Sequence, residues 1–245
     1  MRPKSPSNNR RRFGAAPSSA GAAGPADSDC STRIDPAEAL PQIQFQDAVR
    51  QRHAASLAVW VFLSTEVMFF AGLIAAYVVY RYDYPAAFSA CSHHLERWVA
   101  TFETADLLTS SLFMALAIHF IQKNARRLSV LCLALAFLGG AAFLVLHGHE
   151  YATDAMEGAL PGRFYRLAEL PAVGAPMFFA LYFFITGLHA IHVAVGMGLI
   201  GYLVVQLLRG RYSPAYFNPM EGVGLYWHFV DMVWVFLYPL FYLIH

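Results

Sequence analysis

An acidic side chain lies in the middle of an apolar stretch of this 245-residue sequence. The stretch runs from Leu57 to Tyr80, and Glu66 is its one carboxylate. At the rise of an α-helix, Glu66 would lie about 13 Å in from Leu57, near the centre of a bilayer. A carboxylate at that depth costs several kcal/mol unless it is protonated, paired or hydrated. We therefore expect Glu66 to be paired with another helix or to have a proton-linked or lipid-contacting function.

Polar residues also interrupt three other apolar stretches. His189 and His192 in TGLHAIHVAVG are three residues apart, so they share a helix face and could bind one metal ion or haem. His228 and Asp231 in YWHFVDMVW have the same spacing, which allows them to pair along a helix. Hydrogen bonding between packed helices is the alternative for all four residues. His119 ends a further apolar stretch, where a titrating group, a lipid contact or an ordinary interfacial side chain would each fit.

The motif HGHEY is a weaker candidate for chemistry. His147, His149 and Glu150 are residue types that bind Zn²⁺. The sequence shows no third and fourth ligand for such a site beyond His93 and His94, which we place in a different loop. It also contains no nucleophile elbow, phosphate-binding loop or HExxH motif. We therefore predict no catalytic site from the residues alone, and metal binding by these histidines stays a weaker alternative.

The composition is that of an integral membrane protein. The chain is 58% hydrophobic and 13% charged, and a soluble domain carries about 25% charged residues. A formal net charge of +1 excludes nucleic acid as a partner, because the phosphate backbone selects a strongly basic surface. Three cysteines at unrelated positions indicate neither a disulfide framework nor a metal motif.

The apolar stretches predict an all-α, polytopic bundle of five transmembrane helices. Each stretch is long enough, or nearly so, to cross the hydrocarbon core. Residues 1–45 are rich in Pro, Ala, Ser and Gly and predict a disordered cytoplasmic arm, followed by the transmembrane domain over 46–245. A small-residue row, Ala190, Ala194 and Gly198, predicts a close-packing helix face. The predicted spans are 57–80, 104–121, 129–146, 176–208 and 224–244, and 147–175 forms an outer loop.

The distribution of Lys and Arg predicts the orientation of the bundle. With the N-terminus in the cytoplasm, seven basic residues next to spans lie inside and four lie outside. The excess favours an N-in, C-out topology. The inner residues are Arg50, Arg52, Lys123, Arg126, Arg127, Arg209 and Arg211, and the outer ones are Arg81, Arg97, Arg163 and Arg166.

Three stretches resemble subunit III of the haem-copper cytochrome c oxidases. They are WVFLSTEVMFFAGLIAAYVVYR at 60–81, TGLHAIHVAVG at 186–196 and GLYWHFVDMVWVFLYPLFYLI at 224–244. LLTSS at 107–111 and HEY at 149–151 fit the same pattern. The similarity covers about residues 50–245. It is closest to the short, five-helix bacterial form, which lacks the first two of the seven helices found in most members.

The resemblance implies an accessory subunit without haem, copper or another metal. Such a subunit packs directly on subunit I, which holds the haems and a copper, in a complex that also contains subunit II. It binds phospholipids in a cleft between two groups of helices, supports proton uptake into subunit I and protects the enzyme during turnover. It also implies a multi-pass protein of the bacterial inner membrane, with other respiratory complexes as further partners.

Individual residues match positions of that family. Glu66 matches its buried, carbodiimide-reactive glutamate, and Arg209 matches a position that contacts lipid phosphate. His119 falls near the same cleft. The remaining matches are motif residues without a known metal, which implies intramembrane polar packing for His189, His192, His228 and Asp231.

Other functions fit parts of the same pattern. Within the superfamily, the alternatives are a quinol oxidase subunit III and a nitric oxide reductase accessory protein. An independent proton-coupled transporter could use Glu66 and Asp231, although the sequence shows no repeats or broken helices of the kind found in transporters. A membrane dihaem protein would use His119, His189, His192 and His228 as ligands.

Overall fold

Helices account for nearly all of the chain that the computed structural model describes, which is residues 48–159, 173–212 and 217–243. Side chains are described from residue 54 onward. No strand occurs in these ranges. The predicted N-terminal arm, 1–45, lies outside the described residues. The helices are α1 Ala48–Asp83, α2 Pro85–His94, α3 Arg97–Gln122, α4 Arg126–Glu157, α5 Ala175–Leu208 and α6 Asn218–Tyr242.

Five of these helices are long and apolar enough to cross a membrane. The prediction of an all-α, five-span membrane bundle is therefore confirmed. Every predicted span overlaps one long helix, and each of these helices extends beyond the apolar stretch at one or both ends. The sixth helix, α2, is a short segment of ten residues that the sequence analysis treated as a loop.

The four helices α3 to α6 form a ring, in which α3 packs on α4, α4 on α5, α5 on α6 and α6 on α3. Helix α1 lies outside this ring against α5 and α6 and makes no close backbone contact with α3 or α4 over its described length. Only about a tenth of its apolar window is buried, compared with 44% for α6. Helix α1 therefore has most of its apolar surface free for lipid or another subunit.

A buried tryptophan holds the centre of the ring together. Trp227 of α6 is fully buried, and its indole N–H donates to the hydroxyl oxygen of Ser110 on α3 at 3.1 Å. The indole of Trp227 lies between glycines of two other helices. A Cβ built at Gly140 or Gly196 would come within 2.7–2.8 Å of it. These two positions therefore admit the indole because they have no side chain.

The predicted close-packing row is not used within the described chain. Ala194 and Gly198 are exposed, and a Cβ at Gly198 would meet no atom within 4 Å. Within the described residues, α5 turns Gly196 rather than this row toward the ring, so close packing of the row stays a prediction. Small residues at four-residue spacing permit close packing on one side of a helix but do not decide which side faces the neighbours.

Helix α4 corrects the predicted outer loop that begins at His147. The helix continues without a break to Glu157 and ends at Gly158, whose φ of 91° is typical of a helix C-terminus. His147, Glu150 and Asp154 are buried in the ring. Hydropathy predicted only the apolar part of α4. It did not predict the last three turns, because they contain polar side chains that are buried against other helices.

The C-terminal end of α6 is held by two helices. Helix termini leave backbone carbonyls without intrahelical partners. The hydroxyl of Tyr77 on α1 donates to the carbonyl of Leu240 at 2.8 Å, and Ser92 on α2 donates to that of Phe241 at 2.7 Å. The short helix α2 therefore ties the outer helix α1 to the ring.

Candidate functional site

The acid in the first span has a partner on the fifth helix of the chain. The imidazole Nε2 of His192 on α5 lies 3.1 Å from a carboxylate oxygen of Glu66 on α1. The side chain of His192 is only 16% exposed and that of Glu66 only 18% exposed. Glu66 lies midway along a helix that is otherwise apolar for six turns, so the pair is set at a depth where water is scarce.

The second ring nitrogen of His192 decides how protons are arranged in this pair. Nδ1 lies 2.8 Å from the backbone oxygen of Leu188, which can only accept, so Nδ1 carries a hydrogen. A neutral imidazole then offers a lone pair at Nε2, which matches a protonated Glu66. A protonated imidazole offers N–H, which matches a carboxylate. In both arrangements Glu66 and His192 share one proton between them, and the pair has no net charge.

Aromatic rings close the site around the pair. Phe70 of α1 meets the His192 ring edge-on at a centroid distance of 5.4 Å. The hydroxyl of Tyr226 on α6 donates to the backbone oxygen of His192 at 3.1 Å, and Phe62 packs on the Tyr226 ring. The site is therefore built by α1, α5 and α6 at the junction of the outer helix with the ring.

The two histidines of the TGLHAIHVAVG motif face different surroundings. His189 is fully buried and stacks on Trp234 of α6 at 5.1 Å, whereas His192 points toward α1. Three residues along a helix turn the side chain by about 60°, which is enough to direct one ring into the bundle and the other outward. The structure does not bring these rings together as joint ligands.

The fifth predicted span does not contain the expected internal pair. His228 of α6 forms a hydrogen bond through Nδ1 with the hydroxyl of Ser111 on α3, not with Asp231. Asp231 is 3% exposed, and its carboxylate makes no hydrogen bond of standard geometry within the described residues. Both residues are therefore directed toward α3, because α6 buries this face against it.

The remaining two candidates lie near the far end of the bundle. His119 is exposed at the end of α3, and Arg209 is exposed at the C-terminal cap of α5, about 25 Å along that helix from His192. Beside Arg209, the Arg126 guanidinium donates to the backbone oxygen of Leu208. A cavity of about 370 Å³ at this end is lined by Arg126, Arg127, Val130 and Leu208.

A buried polar cluster that was not predicted from the sequence lies at the opposite end of the ring. Glu103 of α3 lies beside His147 and Glu150 of α4, and all three are at least 95% buried. In a helix, the three-residue spacing from His147 to Glu150 places their side chains next to each other, so this pair could have been predicted if the segment had been assigned as helical. Nothing in the sequence around Glu103 indicates that it joins them.

Comparison with known proteins establishes the family. The model of the family described as cytochrome c oxidase subunit III matches residues 42–245. The chain belongs to the cytochrome c oxidase subunit III family. The match includes both helices that form the Glu66–His192 site.

Relatives from the subunit III family differ in the oxidase that their names describe. The chain is 29% identical to the cytochrome c oxidase subunit 3 of Corynebacterium diphtheriae, over 80% of this chain and 91% of that protein. It is 27% identical to a probable quinol oxidase subunit 3 of Staphylococcus haemolyticus, over 77% of this chain and 88% of that protein. A Staphylococcus aureus protein of the same name is 26% identical.

Family membership and the fold together define the protein at a general level. It is a multi-pass membrane protein and a subunit III of a haem-copper oxidase, of either the cytochrome c or the quinol type. A subunit III functions in a complex with other oxidase subunits. The predicted resemblance is thereby confirmed.

Proposed function

We propose that this chain is a non-catalytic subunit III that binds phospholipid and supports proton uptake and turnover stability of oxidase subunit I. It would act in a cytochrome c oxidase of the bacterial inner membrane. The observation that carries the proposal is the Glu66–His192 pair, in which a carboxylate and an imidazole lie 3.1 Å apart inside a membrane-spanning segment. The haems and copper are expected in the partner subunits.

The pair is suited to assist proton movement without doing redox chemistry. A proton can pass between Glu66 and Nε2 of His192 over a single hydrogen bond of 3.1 Å. Because Nδ1 keeps its own hydrogen on Leu188, the imidazole is held in the orientation that this transfer needs. Aromatic side chains around the pair limit exchange with water, so the proton is retained until a partner accepts it.

Two features support lipid binding. Helix α1 presents large apolar side chains around most of its circumference, for example Trp60 and Met68, which are 56% and 76% exposed. At the end with the excess of basic residues, Arg126 and Arg127 line a cavity beside the exposed Arg209. Guanidinium groups bind phosphate by paired hydrogen bonds, so this cavity would take a phospholipid headgroup while acyl chains lie along the helices.

The electron donor distinguishes the two closest functions. The name of the Corynebacterium relative favours cytochrome c, whereas the names of the staphylococcal relatives favour a quinol. Purification of the complex that contains this chain, followed by assay with reduced cytochrome c and with a quinol, separates them. Oxidation of a quinol alone would assign the chain to the quinol type and leave its supporting function unchanged.

The supporting function is tested by turnover of the complex with Glu66→Gln. We expect the variant to assemble with unchanged haem and copper content, to lose reactivity toward carbodiimide, and to inactivate faster during turnover. Glutamine keeps a hydrogen-bonding group beside His192 but cannot exchange a proton with it. The matched control is Glu221→Gln, because Glu221 is exposed on α6. Equal turnover lifetimes of Glu66→Gln and wild type would contradict the proposal.

A further inference from the structure

The buried cluster between α3 and α4, at the end of the ring where α4 and α6 terminate, has no function in the site described above. It consists of Glu103 on α3 and of His147 and Glu150 on α4. From the ligand geometry, we infer that Glu103, His147 and Glu150 form a binding site for one divalent cation, with Zn²⁺ the ion that best fits the ligands. This inference is independent of the proposed function and departs from the prediction that the chain holds no metal.

The distances match ligands of a shared ion better than they match hydrogen bonds. Nδ1 of His147 lies 3.6 Å from a carboxylate oxygen of Glu103 and 3.6 Å from one of Glu150. A hydrogen bond between such atoms would be shorter, near 2.7–2.9 Å. Ligand atoms about 2.0–2.2 Å from a tetrahedral Zn²⁺ lie about 3.3–3.6 Å from one another. One ligand atom from each of the three residues falls within 4.8 Å of the others.

The polar atoms of Glu103 and His147 lack hydrogen-bond partners among the residues that the structure describes. Both carboxylate oxygens of Glu103 and both ring nitrogens of His147 are buried without a hydrogen bond within the described residues. Glu103 is 0% exposed and His147 is 2% exposed. Buried polar groups are paired in more than nine of ten cases, because an unpaired one loses its hydration without compensation. A cation between them would satisfy a nitrogen of His147 and an oxygen of each glutamate at once.

Charge balance also points to a divalent ion. In the part of the chain that the structure describes, no lysine or arginine forms an ion pair with Glu103 or Glu150. A histidine that binds a metal is neutral, so with His147 as a ligand the two buried carboxylates would carry two negative charges, which one divalent cation neutralises. An imidazole with carboxylates is a ligand set that binds Zn²⁺ and leaves a position for water.

Glu150 is oriented by further hydrogen bonds, as metal-binding carboxylates usually are. The hydroxyl of Tyr242 at the end of α6 donates to the Glu150 carboxylate, 3.0 Å from each oxygen, and lies 3.0 Å from the hydroxyl of Tyr182 on α5. Phe143 stacks on the His147 ring at 5.4 Å and fixes its plane. All four helices of the ring thus contribute to the cluster or its support.

A route for the ion leads along one face of α4. Asp154 and Glu157 follow Glu150 by one and two turns, and exposure rises from the buried Asp154 to Glu157, whose side chain is 48% exposed. His94 of α2 lies 3.0 Å from Glu157 and completes a second acid–imidazole group at this end. These residues give a cation successive polar contacts from the bundle surface to the buried site, about 10 Å along the helix from Glu157 to Glu150.

The test is the zinc content of the purified oxidase complex. The complex is treated with EDTA, exposed to a small excess of Zn²⁺, freed of unbound ion, and analysed for zinc per haem iron. We expect the wild-type complex to hold one more zinc per chain than Glu103→Gln, and Tyr242→Phe to bind zinc about 10–100-fold more weakly. The matched control Glu96→Gln, an exposed acid outside the cluster, should retain wild-type zinc.

A second measurement covers the case in which Glu103→Gln fails to assemble. After the same treatment, complex depleted of this chain should contain one zinc ion fewer than the complete complex, when both are normalised to haem iron. Zinc content that is equal with and without the chain, or equal in Glu103→Gln and wild type, overturns the inference. The cluster would then be a set of groups that share protons rather than a metal.

Discussion

Among individual residues, the main finding is that the acid in the first span, Glu66, is paired with a histidine of another helix. Glu66 was expected to need a partner because of its depth, and His192 is that partner at 3.1 Å. The same histidine is held by Leu188 and lies against Phe70. The chemistry of the site therefore depends on the tautomer that the helix backbone imposes, which residue types alone do not indicate.

The interaction between Glu66 and His192 can be measured by its effect on the free energy of unfolding. Glu66→Ala leaves Nε2 of His192 without a partner, and we expect the free energy of unfolding to fall by about 1–3 kcal/mol. His192→Ala should cost a similar amount, and the double variant should cost less than the sum of the two. Denaturant titration in detergent measures all three variants. Additive losses would show that the two side chains do not interact in the folded protein.

Burial also predicts the reactivity of one cysteine. Cys91 on α2 is fully buried, and loss of hydration raises the pKa of its thiol to about 12. At pH 8 we expect a variant that retains only Cys91 to react with maleimide at least a hundredfold more slowly than after denaturation. Rapid labelling of the folded variant would mean that α2 opens or does not pack as described.

The same pKa shift has a consequence for stability at high pH. The unfolded thiol ionises near pH 9.0, whereas the folded thiol keeps its proton to about pH 12. Above about pH 9 the unfolded state therefore binds fewer protons than the folded state. The free energy of unfolding should fall as pH rises through this range, and Cys91→Ala should reduce that dependence.

At the element scale, the ring of α3 to α6 is organised by close approach of one indole to two helices. Trp227 lies against Gly140 of α4 and Gly196 of α5 and donates to Ser110 of α3. One side chain of α6 thus contacts the three other helices of the ring. Helix α1 has no such anchor and is held instead by its contacts with α2, α5 and α6.

Two glycines of α5 provide a matched comparison of this packing. Gly196→Ala places a methyl group 2.8 Å from Trp227, and we expect it to destabilise the protein by about 1–3 kcal/mol through overpacking. Gly198→Ala meets nothing within 4 Å and should leave stability unchanged or slightly higher. Thermal unfolding in detergent measures both. A similar loss of stability for the two variants would mean that the face of α5 that carries Gly196 is not the one packed against Trp227.

At the scale of the whole molecule, the polar sites lie at different depths. The cation site lies toward the end of the bundle where α4 and α6 terminate, and the arginine-lined cavity lies where α5 ends. The Glu66–His192 pair lies between them along the membrane normal. With the N-terminus inside, the cavity faces the cytoplasm and the cation site faces outward.

The excess of seven basic residues over four predicts this orientation, and labelling tests it. In a cysteine-free background, Lys123→Cys lies at the α3–α4 connection and Glu157→Cys at the opposite end of α4. Both positions are exposed. A membrane-impermeant maleimide should modify Glu157→Cys in intact cells and Lys123→Cys only in inverted vesicles. The reverse pattern would invert the topology.

Apolar length and motif residues were enough to predict the class of fold and the family. Long apolar stretches have no other solution in a bilayer than helices, because backbone polar groups must be satisfied within each segment. The number of apolar stretches predicted the number of spans, and the cost of a carboxylate in a bilayer predicted that Glu66 needs a partner. The motifs around Glu66, His192 and Asp231 were long enough to indicate the family before any contact was known.

The contacts between residues of different helices could not be predicted and became known from the folded structure. His192 rather than His189 joins Glu66, and Glu103 joins His147 and Glu150 across two helices. Hydropathy placed the end of α4 at the last apolar residue, although the helix continues for three turns. The physical reason is that bilayer partition acts on each stretch separately. Rotation of a helix about its axis, and pairing of polar groups between helices, depend on neighbours that are distant in the sequence.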